Sequence, residues 1–436
     1  MRWIKCGALL FCTTATPKIG NCSIKVTLLG LLASLVTSNP ALAFEYEWDK
    51  HQFDFGFRPR LAVVERDRGE DARAASLLLR LRAESEWSRQ FTTLIEVDHV
   101  ELGWENDFSN GENFNDNKPV IPDVAGTDLN QAWLRYSPTN TLEFTLGREA
   151  VELANQRFVG TNSFWQNQQT LDNAGIKYRF GTASSVSYRY VDNVNRINGD
   201  NAGARLSPND SNFQQTNGQR PPQFLGDHDH QSHLIFAQIK EWDYSRVQAY
   251  YFDMDIKDAL AVSNQTLGTR YDYKGRIGDF RAAAHAELAV QERSEVNQDA
   301  LLSYYDIGAG LGLGSSEISV NYERLGEDDG TAFITPLASL HDQNGWADQF
   351  LITPNRGLRD YSVQYIWRKS PWQIDARYHF FHADNTHNHL GEELDIDFSV
   401  TFSRNSTLLL RVADFTTNDD NYSDERRVFL MYIYNL

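Results

Sequence analysis

The chain has 436 residues, with 41 Lys and Arg against 59 Asp and Glu, and a formal charge of −18. So acidic a balance argues against nucleic acid as a partner. All three cysteines, Cys6, Cys12 and Cys22, fall in the first 43 residues, so the rest can hold no disulfide framework, zinc-thiolate site or cysteine nucleophile.

The N-terminal stretch 1–43 has the signature of a secretory signal peptide: Lys18 and Lys25, an apolar run from Val26 to Val36, then Pro40 and the small-residue site Ala41-Leu42-Ala43. The apolar run is about eleven residues, against about 20 for a spanning helix. Cleavage is expected before Phe44, leaving one domain over 44–436. Loss of Arg2, Lys5, Lys18 and Lys25 then takes the formal charge from −18 to −22.

Beyond the leader, apolar residues fall on alternate positions in segment after segment. The pattern predicts strands at 52–64, 76–88, 91–102, 128–137, 140–148, 173–181, 183–192, 231–241, 243–254, 269–275, 279–291, 301–313, 315–324, 358–369, 371–382, 391–403, 405–415 and 425–436. Within 391–403, Leu394, Ile396, Phe398, Val400 and Phe402 alternate with Asp395, Asp397, Ser399, Thr401 and Ser403. Strict period 2 gives each strand one apolar and one wet face, and no helical segment is available to cover the apolar side. Strands of about ten residues exceed the 5 to 6 usual in soluble sheets and fit a bilayer. Mean hydropathy is only −0.50, as expected when lumen and loops stay polar.

The connections alternate too. Tight turns such as Ser137-Pro138-Thr139, Gly181-Thr182 and Ser370-Pro371 take turns with longer loops, the largest near 103–127, 149–172, 193–230 and 325–357. Outer-membrane barrels have short periplasmic turns and long outer loops. The fold class predicted is therefore all-β: a transmembrane antiparallel up-and-down barrel of about 18 strands. Its last strand, with Val428, Leu430, Tyr432, Tyr434 and Leu436 on one face, resembles the C-terminal targeting strand of bacterial outer-membrane proteins, except that those usually end in Phe. The long loops 103–127, 149–172, 193–230 and 325–357 are candidates to fold inward as constrictions, since eighteen strands enclose an aqueous channel.

Parity points Arg58, Arg60, Arg80, Arg82, Arg135, Lys177, Arg179, Arg189, Arg281, Arg368, Arg377 and Arg411 into the lumen. Asp54, Glu84, Glu86, Glu96, Asp98, Glu143, Glu287, Glu323, Asp375, Asp395 and Asp397 point the same way. Such residues either form a path for an anionic solute or pair across strands to stiffen a wet wall.

The most distinctive stretch is Gly147-Arg148, then Asn155-Gln156-Arg157-Phe158-Val159-Gly160, then Trp165-Gln166-Asn167-Gln168-Gln169-Thr170-Leu171-Asp172. Together with Leu129 to Tyr136 it resembles the alginate-export family of Gram-negative outer-membrane porins over about 45 residues. The resemblance implies an eighteen-stranded barrel passing an anionic polysaccharide through an arginine-lined pore. Guanidinium forks suit uronate carboxylates, and conduction calls for many weak sites. Arg148 and Arg157 are then the candidates for a constriction, unless they merely tie the motif loop to the wall.

Other signals are weaker. Asp227-His228-Asp229-His230 with His233, and His379, His382, Asp384, His387 and His389, have ligand-type side chains but lie where polar residues need no special reason. Gly308, Gly310, Gly312 and Gly314 repeat at period 2, which is a bare strip on a strand and not a phosphate loop. No His-Glu-x-x-His or Gly-x-Ser-x-Gly occurs, so neither a cofactor nor a catalytic residue is assigned and no metal is expected.

The leading expectation is a channel for an anionic oligo- or polysaccharide, resident among outer-membrane lipid and lipopolysaccharide; any periplasmic partner is unidentified. The alternative is a general or small-solute porin with a mixed-charge lumen. A third reading, a barrel enzyme acting on lipid or lipopolysaccharide, has only His99 as a candidate on the lipid face.

Overall fold

A computed structural model of the chain describes residues 46–48 and 50–435, apart from 116, 211 and 294. The expected signal peptide, 1–43, lies outside the described residues, as does the terminal Leu436.

Eighteen antiparallel strands close into one barrel: β1 His51–Arg66, β2 Ala72–Glu86, β3 Phe91–Gly103, β4 Gly126–Tyr136, β5 Leu142–Glu149, β6 Thr170–Phe180, β7 Ser184–Asn195, β8 Asp227–Trp242, β9 Ser245–Met254, β10 Asn264–Ile277, β11 Phe280–Arg293, β12 Asn297–Leu313, β13 Ser316–Leu325, β14 Leu358–Lys369, β15 Trp372–His382, β16 His389–Ser403, β17 Ser406–Thr417 and β18 Glu425–Tyr434. Each strand pairs with its sequence neighbours. Closure comes from β1 on β18, in register from Phe57 opposite Tyr434 to Arg66 opposite Glu425. A short strand, Tyr46–Trp48, pairs back onto the start of β1.

All eighteen predicted strands are present, with some ends moved. The largest change is at β10, expected over 269–275 but running Asn264–Ile277, where buried and exposed positions alternate from Asn264 to Asp272. The outward set remains uncovered: Leu81, Leu146, Leu288, Ile307 and Val320 are each at least half exposed. A barrel in water could not hold such a belt; lipid covers it.

The inner ends of the strands join by short turns, such as Gly314-Ser315 between β12 and β13. The long segments 104–125, 150–169, 196–226 and 326–357 all lie at the other end. Two of them, 150–169 and 326–357, enter the barrel and build an apolar core inside it. Phe158, Val159, Phe333, Leu337, Trp346 and Phe350 pack there against Tyr250, Phe252, Tyr304, Phe381 and Phe415 of the wall. A smaller core joins Phe108, Ile121 and Trp165 to Ala62, Val64 and Phe429.

Candidate functional site: a lumen divided by inward loops

Entry of the first loop is set at the end of β5. Gly147 has φ of +123°, in the region that favours glycine, and an added Cβ would run into the Ala132 carbonyl on β4. The neighbouring Arg148 forks onto Asp172 at 2.8 and 3.0 Å and donates to the Leu129 carbonyl at 3.0 Å. It thereby ties β5 to β6 and to β4 where the chain leaves the wall.

Inside the barrel the two loops bind each other through their backbones. Gly160 N donates to the Leu337 carbonyl at 2.9 Å, and Ser339 N donates to the Gln156 carbonyl at 3.0 Å. Gly160 sits where a Cβ would collide with Ser339 Oγ and the Gln156 side chain. Asn155 folds back to accept the Arg157 N–H at 3.2 Å. Asn162 spans from the Ala338 carbonyl to Leu340 N, and Gln169 Nε2 donates to both Gly160 and Leu337 carbonyls. The amides of the motif thus satisfy loop backbone that would otherwise be buried without partners.

Arginines lock this assembly to the wall. Arg157, 2% exposed, places Nε 2.8 Å from Glu323 of β13 and donates Nη2 to Asn344 of the second loop at 2.9 Å. Arg58 donates to Gln166 Oε1 and the Ser163 carbonyl, both at 2.9 Å, and to the Trp165 carbonyl. Gln166 returns a bond to the Arg58 carbonyl. Arg60 pairs with buried Asp123 at 2.7 Å and lies over the Phe164 ring. Arg411 pairs with Asp397 at 2.7 Å and stacks on Trp346, 3.8 Å from the ring centre. Asn167 bonds the carbonyls of Val124 and Ile197, drawing in the other two loops.

The remaining arginines of the proposed path lie on the inner face as parity requires, and most already have carboxylates. Arg80 meets Asp98 at 2.6 Å, Arg82 meets Glu84 at 2.6 Å, and Arg179 meets Glu143 at 2.7 Å. Arg135 and Arg189 both reach Glu149 at 3.3 Å, and Arg368 lies 3.7 Å from Glu317. Arg281 donates to the carbonyls of Gly314 and Ser316 at the inner rim. Arg377 differs in forming no side-chain hydrogen bond or ion pair among the described residues; it stands opposite Asp395 in register, with its guanidinium 5.6 Å from the centre of the Trp346 ring.

Below the loops opens a vestibule of about 500 Å³, roofed by Asn155 and Asn344 and walled by Arg270, Arg377, His379 and Lys274. Gly308 and Gly310 border it, so the bare strip widens this space. Arg270 contacts Glu287, Asp306 and Asp272 at 2.7 to 2.9 Å. His379 meets Asp360 at 2.8 Å. Arg270 was not among the expected path residues, although it lies within the predicted strand 269–275 and shares the inward parity of Asp272, so alternation was the signal that could have found it.

A second cavity of about 500 Å³ lies among the outer loops, with Glu112, Asp210, Arg205 and Arg220 around it. Burial pushes the Glu112 carboxyl above, and the Arg220 guanidinium below, their usual ranges. In a smaller pocket that it lines with Asp98, Asp128 and Asp200, the half-buried Arg196 guanidinium is pushed down to about 10 by desolvation.

The histidine patches are absorbed locally. His228 bonds the Pro222 carbonyl and His230 bonds Ser232, while His99 stands on the outer face against Thr127 and Glu101.

No family model and no curated protein matches this sequence significantly. Solved structures do. OccAB4 of Acinetobacter baumannii aligns at a TM-score of 0.69 with 11% identity, over 91% of this chain and all of that one. The outer membrane protein OpdK of Pseudomonas aeruginosa aligns at 0.64 with 13% identity, over 89% and 99%. OccK9 of the same species aligns at 0.65 with 15% identity, over 88% and 98%. The chain has the fold of these outer-membrane porins. That fold, with its uncovered apolar belt, sets it in the outer membrane of a Gram-negative bacterium. The alginate-export resemblance is corrected by these full-length matches: the motif that suggested it serves to dock loops, a task any loop-plugged barrel must solve.

Proposed function

We propose that this protein is a porin for small solutes, with a mixed-charge lumen, and no polysaccharide exporter. The observation that carries the reading is the pair of loops 150–169 and 326–357, packed as an apolar core inside the barrel and bordering a cavity of about 500 Å³. That space suits a small molecule; a polymer would need a continuous wide bore. The Occ and Opd likeness supports the same scale of solute, and one of those structures is OpdK with vanillate, a small aromatic carboxylate.

Within the vestibule Arg377 is the group we assign to a solute carboxylate. It faces the cavity and, with Asp395 opposite it in register, forms no direct ion pair or side-chain hydrogen bond among the described residues, so a solute carboxylate would meet an uncommitted guanidinium.

Planar-bilayer recording tests this. Benzoate-class carboxylates should block or carry current at concentrations where alginate has no effect, and Arg377→Ala should weaken the carboxylate effect about ten-fold, the scale of one charged hydrogen bond. Block by alginate with indifference to small carboxylates would overturn the reading.

A further inference from the structure

One cluster on the outer wall takes no part in the lumen. On β13 and β14, Arg324 and Arg359 share the parity of Val320, Tyr322, Tyr361 and Val363, so they face away from the channel. They stand opposite each other in register. Both close on a single carboxylate, Asp384 of the connection between β15 and β16, at 2.6 and 2.7 Å. Two guanidiniums on one carboxylate leave an uncancelled positive charge. Arg359 spends only its Nε on Asp384, and its terminal amino groups bond nothing among the described residues.

The surroundings are those of a membrane edge. The Tyr305 ring lies under Arg324, 5.5 Å from centroid to guanidinium, and Tyr322 and Tyr361 pack with centroids 4.8 Å apart. Along β14, Arg359 is eight residues from Trp367 near the inner turn, about 21 Å of height at about 3.4 Å per residue and a tilt of about 40°. The apolar band of such barrels is about 25 Å tall. With Trp367 at the inner edge, the arginine pair stands within about 4 Å of the outer limit of the hydrocarbon, a distance an arginine side chain can span to the head groups. Elsewhere on this rim, outward cations are matched singly: Arg73 with Asp107 at 2.9 Å, Arg426 with Asp414 at 2.8 Å.

We propose that Arg324 and Arg359 bind a phosphate of a phosphorylated glycolipid in the outer leaflet, with the acyl chains lying on Ile307, Val320 and Val363 beneath. Guanidinium forks match phosphate oxygens in geometry and charge, and the tyrosines flank the sugar at the interface. Inorganic phosphate would share the charge contact and lack the chain contact.

The test is native mass spectrometry of the refolded barrel in detergent with bisphosphorylated or fully dephosphorylated lipid A. The wild type should retain the phosphorylated lipid at least about ten-fold better, as expected for charge-assisted bonds. The R324Q/R359Q double variant, checked as folded by its heat-modifiable migration, should lose that preference, and R426Q should keep it. Equal retention of the two lipids by the wild type would overturn the proposal without any variant. A folded double variant with full preference would overturn it too, as would displacement of the lipid by an equal amount of inorganic phosphate.

Discussion

The two halves of the lumen are built from the same alternating strands yet solve opposite problems. In the outer half, many inward positions that face the two loops are apolar, as at Leu234, Phe252, Leu302 and Phe415, because the loops fill the space and need a core to pack on. In the inner half, inward positions are Arg270, His285, Asp306 and Arg377, which face a water-accessible cavity. One strand can do both: β15 runs from Arg377 through His379 to Phe381, from a wet wall to a dry one. The join between the halves holds Arg157, where a charge is buried because it must span from loop to wall.

That join is where the contrast breaks most easily. Arg157→Gln leaves Glu323 buried without its partner, and losing one member of a buried pair costs about 3–5 kcal/mol. Since the charge holds loops and not strands, the cost should appear as noisy, flickering current in a barrel that still migrates as folded. Ala284→Arg probes the lipid side of the same strand that presents His285 to the vestibule. A cation there should cost about 2–4 kcal/mol near the midplane and reduce folding yield in lipid vesicles. Gly160→Ala crowds the contact with Ser339 and Gln156 and should cost about 1–3 kcal/mol by overpacking; its readout is protease sensitivity of segment 326–357. Least affected should be Arg426→Gln, which breaks an ion pair with both side chains about half exposed. Thermal unfolding should register no more than about 1 kcal/mol.

Most of the fold could be read from period and loop length. Pleating alternates side chains between faces, so the inward placement of Arg80, Arg179 and Arg411 and the outward placement of Leu288 follow from position alone. The partners of those arginines could not be read, because Arg411 meets Asp397 only once the register of β16 and β17 is known. The inward loops were named as candidates, but their lock rests on residues far apart in sequence, such as Gln156 with Ser339 and Arg157 with Glu323. The motif was conspicuous because buried loop backbone demands Asn and Gln, and that demand says little about cargo. The family resemblance built on it was therefore corrected by the full-length structural matches.

The central claim is that the two inward loops set the size of the passage. Single-channel conductance of the wild type against a variant with 335–349 replaced by a short Gly-Ser linker tests it most directly. The account predicts a conductance higher by about three-fold or more once the lumen is emptied of the segment bearing Leu337, Asn344 and Trp346. An unchanged conductance in a folded variant would contradict it.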